Sequence, residues 1–437
     1  MLHRLLVSLL FCFCSAGASL AEPSQETAWD VIVEFEGGTS AGVMRLAETD
    51  GRLAGTSEPL DENQFFPLSV QGTVSDGIWS LNLYFSGDEV GELTLRPTNH
   101  HRIGAGELYG VPVTVLAHPS ARTFRSPREI TYTPTRFEMQ YESRSEPVLT
   151  LVPGDRVTTT LLDNEGQDAD LEYQAMPGNT LTGPFFVEGA MPGDTLVVHL
   201  RRVSLNRDTA KMYSHQLNQA AIQPGHAQNP SQDWGRTWRL DAEAGTARIE
   251  AEGSAIENLT LPLEPMVGSI GVAPPLNMAL YSGDIWIHGG NLDYRRMREG
   301  VTLYMPVHRA GAYLVLGDGH ARQGDGEISG QGLETSLEVE LEIDLIPGER
   351  LPYLWSEDDD YVMVHGIDNT MDEALQAATT GMSHWLQAQF GLEDSEIAAI
   401  LSAAIEYDVA VVVNSRPHIV ARLDKSILEM ITPRRSE

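Results

Sequence analysis

Residues 317–327 read Gly-Asp-Gly-His-Ala-Arg-Gln-Gly-Asp-Gly-Glu. Asp318, Asp325 and Glu327 offer carboxylates, His320 an imidazole and Gln323 an amide. Gly317, Gly319, Gly324 and Gly326 separate them and let the backbone take positive φ and fold back tightly. A loop built this way can aim several polar side chains at one point. Oxygen and imidazole donors that converge suit a hard or borderline divalent ion. A solvated turn would have the same composition.

Three other segments place polar groups where chemistry could use them. Asp163-Asn164-Glu165-Gly166 follows a strand-like stretch at 158–162. Residues 183–190, Gly-Pro-Phe-Phe-Val-Glu-Gly-Ala, set Glu188 inside an apolar run, where a charge needs a partner. His288-Gly289-Gly290-Asn291-Leu292-Asp293 gathers polar groups behind a glycine pair. The plainer alternatives are a salt bridge or N–H cap for Glu188 and an Asx-turn for Asn291 and Asp293.

These groups must be held by strands. Residues 337–345 alternate strictly, with Leu337, Val339, Leu341, Ile343 and Leu345 on one face and acids on the other. This predicts a strand with one side in water. Residues 312–316 form a short apolar run before the glycine-rich loop, so the loop lies between two strands. Val152-Pro153-Gly154-Asp155, Met191-Pro192-Gly193-Asp194 and Ile346-Pro347-Gly348-Glu349 read as turns leading into strands. Helical spacing enters only near the C-terminus. There Thr370 and Glu373 form a capping box, Gly391 offers a stop, and a second helix begins after Asp394.

Upstream, residues 28–118 read as short strands between Gly and Asp turns, without helical periodicity. The predicted organisation is a signal peptide at 1–21, an antiparallel, barrel-like β domain at 22–118 and a linker at 119–136. A mainly β domain with helices near its C-terminus fills 137–437. The linker carries Arg122, Arg125, Arg128 and Arg136 among prolines, a local basic charge that could dock on an acidic neighbour.

The N-terminus has Arg4, an apolar stretch from residue 5 to 14 and Ser19-Leu20-Ala21, the pattern of a signal peptide. We expect export, to a periplasm or the medium, with no membrane insertion after removal of that segment. Cys12 and Cys14 are the only cysteines, so a chain beginning near Glu22 has neither disulfides nor a thiol nucleophile. The formal net charge of −33 argues against a nucleic-acid partner, because a phosphate backbone requires a basic face.

Several blocks together resemble the acetamidase/formamidase family over roughly residues 140–430. They are the Pro-Gly-Asp start at 153–163, GPFFVEGAMPGDTL at 183–196, LPLEPMVGSIGVAP at 261–274, GGNLD at 289–293 and GDGHARQGDGE at 317–327. The resemblance implies a mainly β, sandwich-like core with a small C-terminal α/β portion, and hydrolysis of short-chain amides to a carboxylate and ammonia. It also implies a divalent metal, zinc or calcium, and frequent homo-oligomers. Carried over by position, it makes Glu327, His320 and Asp163 catalytic candidates and Asn291 and Glu188 substrate-binding ones. Asp318, His320 and Asp293 become candidate metal ligands. In this scheme Glu327 shuttles protons while His320 and Asp318 help to hold the ion.

Amide resonance shields the carbonyl, and nitrogen leaves poorly. Metal polarisation and positioned proton transfer answer those two obstacles. The helical zinc motifs His-Glu-x-x-His and His-x-x-Glu-His do not occur. The rival reading is a periplasmic binding or scaffold protein that keeps the fold without catalysis.

Overall fold

The computed structural model describes residues 26–36, 38–59, 67–98, 101–120, 122, 124–213, 216–228, 237–276, 278–348 and 352–434. The proposed signal segment, with both cysteines, lies outside the described residues.

Eight antiparallel strands, from Glu26–Phe35 to Val111–Pro119, follow one another around a closed barrel, and the first pairs with the last. Alternation drives this. In Ile78–Phe85, Trp79, Leu81 and Leu83 point inward, while Ser80 is exposed. Four hairpins turn on two residues that both have positive φ: Asp50-Gly51, Asp76-Gly77, Ser86-Gly87 and Tyr109-Gly110. Such primed turns match the twist of paired strands. Met44, Leu46, Val70, Leu81, Leu95 and Val115 fill the interior as a packed core.

Beyond residue 137 the architecture is a β sandwich. The six-stranded sheet runs Leu149–Leu151, Leu181–Val187, Leu314–His320, Met266–Gly271, Gly289–Asn291 and Ile285–Trp286 in spatial order. The nine-stranded sheet has Thr195–Leu205 and Leu337–Ile346 near its middle and Glu406–Val411 at one edge. Phe185, Val267, Leu314 and Leu316 of the first sheet meet Val198, Leu303, Val339 and Leu341 of the second in one core. The helix Met371–Phe390 is capped by Thr370, whose side chain accepts from the Glu373 amide, and ends at Gly391 in the left-handed conformation. Its buried Ala374, Ala378, Met382 and Leu386 share a core with Val362 and Val364 of the strand Tyr361–Ile367.

The alternating strand Leu337–Ile346 departs from the expectation in one respect. On its acidic face Glu338, Glu340 and Glu342 are half-buried, and Asp344 is exposed. Arg156 and Arg201 pair with Glu342, and Arg202 pairs with Glu338, so arginine stems cover the face.

The linker arginines dock where acids await them. Asp155 and Asp194 each accept from the amide three residues earlier, Val152 and Met191, closing their Pro-Gly turns. Asp155 also pairs with Arg125, and Asp194 lies 2.6 Å from Arg122. Arg122, whose side chain is 2% exposed, pairs at the same time with Asp30 on the first barrel strand. One guanidinium thus ties barrel to sandwich. Asp30→Asn should loosen that tie at a cost of about 1.5–3 kcal/mol, the usual worth of a hydrogen bond to a charged group. Limited proteolysis of the linker should speed up in the variant; unchanged cleavage would mean that other contacts hold the barrel.

Candidate active site

The cluster forms where the strand Leu314–His320 emerges between Met266–Gly271 and Leu181–Val187. Asp318 and His320 lie on this strand. Asp293 follows Gly289–Asn291, Glu327 follows the glycine-rich turn, and Glu334 reaches in through an isolated bridge to His320. All five are buried. Asp293, Asp318 and His320 each present one donor atom within 4.8 Å of the others, and so do His320, Glu327 and Glu334.

Backbone strain concentrates here. Asp293 has φ 41°, Asp318 φ 58° and Glu327 φ 46°. Non-glycine residues in the left-handed region gather at functional sites, where the surrounding structure over-determines them. Glu327 is held by its neighbour, because the Gly326 amide donates to Val409 O and the Gly326 carbonyl accepts from Val412 N. Gly268 must lack a side chain, since a Cβ there would lie 2.7 Å from Asp318 Oδ2 and 2.9 Å from Asp293 Oδ1.

One pattern unites the cluster. Each of four side chains has one polar atom held by a neighbour and another left without a partner. Asp293 Oδ2 accepts from Asn291 Nδ2 (2.5 Å) and Asn414 Nδ2 (2.6 Å). Asp318 Oδ2 accepts from Asn179 Nδ2 at 3.2 Å. Glu334 Oε1 accepts from the Gly332 amide at 2.9 Å. His320 Nδ1 donates to Gln323 Oε1 (2.9 Å), whose own Nε2 donates to Asp293 O (2.5 Å). The remaining atoms, Asp293 Oδ1, Asp318 Oδ1, Glu334 Oε2 and His320 Nε2, are buried and make no hydrogen bond among the described residues. His320 Nε2 lies 3.1 Å from Glu334 Oε2 and 3.6 Å from Asp318 Oδ1, near enough for ion pairing but outside hydrogen-bond geometry. Buried polar atoms are rarely left this way.

The electrostatics agree. Burial, then repulsion from Asp318, pushes Asp293 up to about 7. Burial likewise lifts Glu334 to about 7, against the pull of His320. Glu327 is raised well above the ordinary carboxylate range by burial and by Asp293. For His320, burial alone would lower the pKa, but Glu334 and Asp318 outweigh it and hold it well above the usual value. Several acids crowded into one dry pocket cannot all ionise without a compensating cation.

Not every sequence candidate joins this group. Asp163 Oδ2 pairs with Arg207 at 2.7 Å, and its Oδ1 accepts from the amides of Glu165 and Gln167. It is an anchor beside the cluster rather than a member, and its carboxylate is fully occupied. Arg207 passes the anchorage on, donating from Nη2 to Glu334 O (3.2 Å) and from Nε to Thr335 Oγ1 (3.1 Å). Glu188 lines a different cavity of about 600 Å³ between barrel and sandwich, with Glu34, Arg309, Phe186 and Tyr313. Asn291 does sit at the cluster, but its side chain is committed. Its oxygen takes Ser269 Oγ and Asn179 Nδ2 while its nitrogen serves Asp293. Asp325 turns outward, with a side chain 52% exposed and Arg295 opposite at 3.4 Å. Glu334, Asn179, Ser269, Asn414 and Arg207 are residues the sequence reading missed. Only Glu334, which shortly follows the loop and lies three residues before Leu337, carried a local signal.

His288 packs edge-on against Tyr141, ring centroids 4.7 Å apart, and neither of its nitrogens has a hydrogen-bond partner among the described residues. Burial, then the nearby His308 and Arg416, lowers its pKa from 6.5 to about 3. The folded ring stays neutral while the unfolded one takes up a proton. This part of the stability is therefore intact above pH 6.5 and is lost as pH falls toward 3. His288→Leu removes that titration. Relative to the variant, the wild type should lose about 2 kcal/mol between pH 7 and pH 5 in urea unfolding. A difference independent of pH would contradict the neutral buried ring.

Comparison with known proteins places this geometry in context. A model of the acetamidase/formamidase family matches residues 286–429, a span that contains Asn291, Asp293, Asp318, His320, Glu327, Glu334 and Asn414. A presumed formamidase of Schizosaccharomyces pombe is 50% identical over 42 residues, which is 10% of this chain and 10% of that protein. The chain thus spans about a tenth of the length of the curated relative it matches. Among solved structures, a recombinant predicted acetamidase/formamidase from Thermoanaerobacter tengcongensis is similar, with TM-score 0.60 and 25% identity over 70% of this chain and 99% of that one. Similar too are an acetamidase from Yersinia enterocolitica (TM-score 0.59, 27% identity, 70% and 94% covered) and one from Bacillus halodurans (TM-score 0.57, 27% identity, 69% and 99% covered).

Proposed function

The chain belongs to the acetamidase/formamidase family, and on that premise we propose that it hydrolyses short-chain, non-peptide amides to a carboxylate and ammonia. The observation that carries the reading is a pair of buried donor triads that share His320, Asp293–Asp318–His320 and His320–Glu327–Glu334, in which four donor atoms make no hydrogen bond among the described residues.

The donor set fits a divalent cation. Asp293 Oδ1, Asp318 Oδ1 and His320 Nε2 would hold it, with Glu334 Oε2 as a further donor. One imidazole among carboxylates favours zinc over calcium, which takes oxygen ligands. When bound, such an ion supplies Lewis-acid polarisation of the amide carbonyl and of water. The rest falls to the chain. The Gln323 carbonyl oxygen keeps a proton of His320 on Nδ1, so Nε2 is the nitrogen that would give up its proton and offer a lone pair to a cation. Asn291 and Asn414 fix the rotation of the Asp293 carboxylate, and Asn179 fixes that of Asp318. Glu327, ionised once a cation offsets its acidic neighbours, would take a proton from the attacking water and deliver it to the departing nitrogen, the two transfers an amide requires. In this reading Asp163 acts through Arg207 as a positioning residue.

Ammonia release from formamide, acetamide and propionamide, with and without a chelator, tests the proposal. Release is expected, with loss on chelation and recovery on adding zinc. No release from folded, zinc-supplied protein would favour the binding or scaffold role.

A further inference from the structure

Behind the Asn291–Asp293 turn lies a second polar chain that plays no part in the chemistry above. Ser356, His365 and His418 sit on three neighbouring strands of the nine-stranded sheet and are buried. Ser356 Oγ lies 2.8 Å from His365 Nε2, His365 Nδ1 lies 3.0 Å from His418 Nε2, and His418 Nδ1 lies 2.9 Å from the Leu292 carbonyl. The two imidazoles stack at 5.1 Å, and the edge of Tyr294 closes them in.

The chain can be read in one direction only. A carbonyl accepts and never donates, so His418 must carry its proton on Nδ1. In a neutral ring the other nitrogen then accepts, which puts the His365 proton on Nδ1 as well. His365 Nε2 must in turn accept from the Ser356 hydroxyl. Burial lowers both histidines, His418 to about 4 and His365 well below its usual value, which keeps the rings neutral near pH 7.

The far end of this chain meets the candidate site. His418 donates to Leu292 O, and Asn414 donates to Asn291 O at 2.9 Å and to Asp293 Oδ2 at 2.6 Å. Three consecutive residues, 291 to 293, are thus held from one side by the segment 414–418. Asp293 has φ 41°, a conformation that needs such external support.

We propose that the one-way hydrogen-bond chain Ser356–His365–His418, together with Asn414, positions the Asn291–Asp293 turn, making His418 and Asn414 positioning residues for the Asp293 carboxylate. The inference rests on the reading of the cluster as a cation-dependent hydrolytic centre, but its hydrogen-bond polarity does not.

Nitrogen NMR of the full chain labelled at histidine reads the polarity directly. His365→Gln and His418→Asn spectra supply the assignments. Both rings are expected neutral and protonated on Nδ1 at pH 7; a proton on Nε2 of either ring overturns the proposal. Two substitutions test the positioning. The Asn amide at 418 takes the place of Nδ1 and can still donate to Leu292 O. The Gln amide takes the place of Nε2 and cannot. His418→Gln should lose about tenfold or more in kcat and in zinc affinity, with KM little changed, and His418→Asn should keep most of both. Equal behaviour of the two variants overturns the positioning role. If the wild type releases no ammonia from any amide, the functional reading fails. The NMR result and the zinc affinities of the variants still decide this proposal.

Discussion

Glu327→Gln is expected to lower kcat on a short amide by about 10²–10⁴-fold while the protein keeps its bound cation. The substitution preserves shape and removes the group's ability to gain and lose a proton. Glu327 is 7% exposed, and burial together with Asp293 holds its pKa well above the ordinary range. A neutral amide therefore replaces a group that the cation-free fold already prefers neutral, and the thermal midpoint should hold or rise. The control is Asp325→Asn, two residues away on the same loop but outward-facing against Arg295. It should leave kcat near the wild-type value. Full activity in Glu327→Gln would remove the proton shuttle from the mechanism, and loss of cation content would recast Glu327 as a ligand.

The second large effect concerns stability. Arg207 and Asp163 have side chains 2% and 1% exposed, and they pair at 2.7 Å. Arg207→Met leaves Asp163 buried without its counter-charge, a change that costs about 3–5 kcal/mol. Because Arg207 also donates to Glu334 O, zinc affinity should fall along with stability. The double variant Arg207→Met/Asp163→Leu should recover much of the stability, since an apolar pair of similar volume can replace a buried ion pair. It should not recover the zinc affinity, because the bond to Glu334 O stays broken. Urea unfolding and zinc titration separate the two. A loss under about 1 kcal/mol in the single variant would show that Asp163 is solvated or held neutral.

How much of this was legible in the chain depends on how local each cause is. The alternation at 337–345, the Thr370 N-cap and the two-residue turns of the barrel are local, and each element forms where its residues indicate, although the Glu373 side chain meets the Thr370 hydroxyl rather than closing the capping box. The mainly β class, the barrel-like first domain and the helices near the C-terminus follow from such periods, whereas the sandwich was an expectation of the family resemblance. The glycine-hinged loop likewise disclosed Asp318, His320, Gln323 and Glu327, because a few residues suffice to aim them. Its other acid, Asp325, was indistinguishable in sequence, yet it follows the outward side of the turn. The partners that orient the donors were not legible. Asn179 meets Asp318 across 139 residues and Asn414 meets Asp293 across 121, and an asparagine in a loop carries no mark of such a contact. Asp163 illustrates the reverse. Its motif was conspicuous, but its role depends on Arg207, 44 residues away, and that guanidinium uses up the carboxylate. Glu188 was marked by its apolar surroundings, which belong to the cavity at the barrel and not to the cluster.

The central claim is that Asp293, Asp318, His320 and Glu334 turn their unpartnered atoms toward one cation. Crystals of the full chain, stripped with a chelator and then soaked in zinc, test it through anomalous diffraction on either side of the zinc absorption edge. The account predicts a single strong peak in contact with Asp293 Oδ1, Asp318 Oδ1 and His320 Nε2, absent before the soak. Ammonia release by the zinc-loaded protein with no density at that point, or with the ion bound elsewhere, would contradict it.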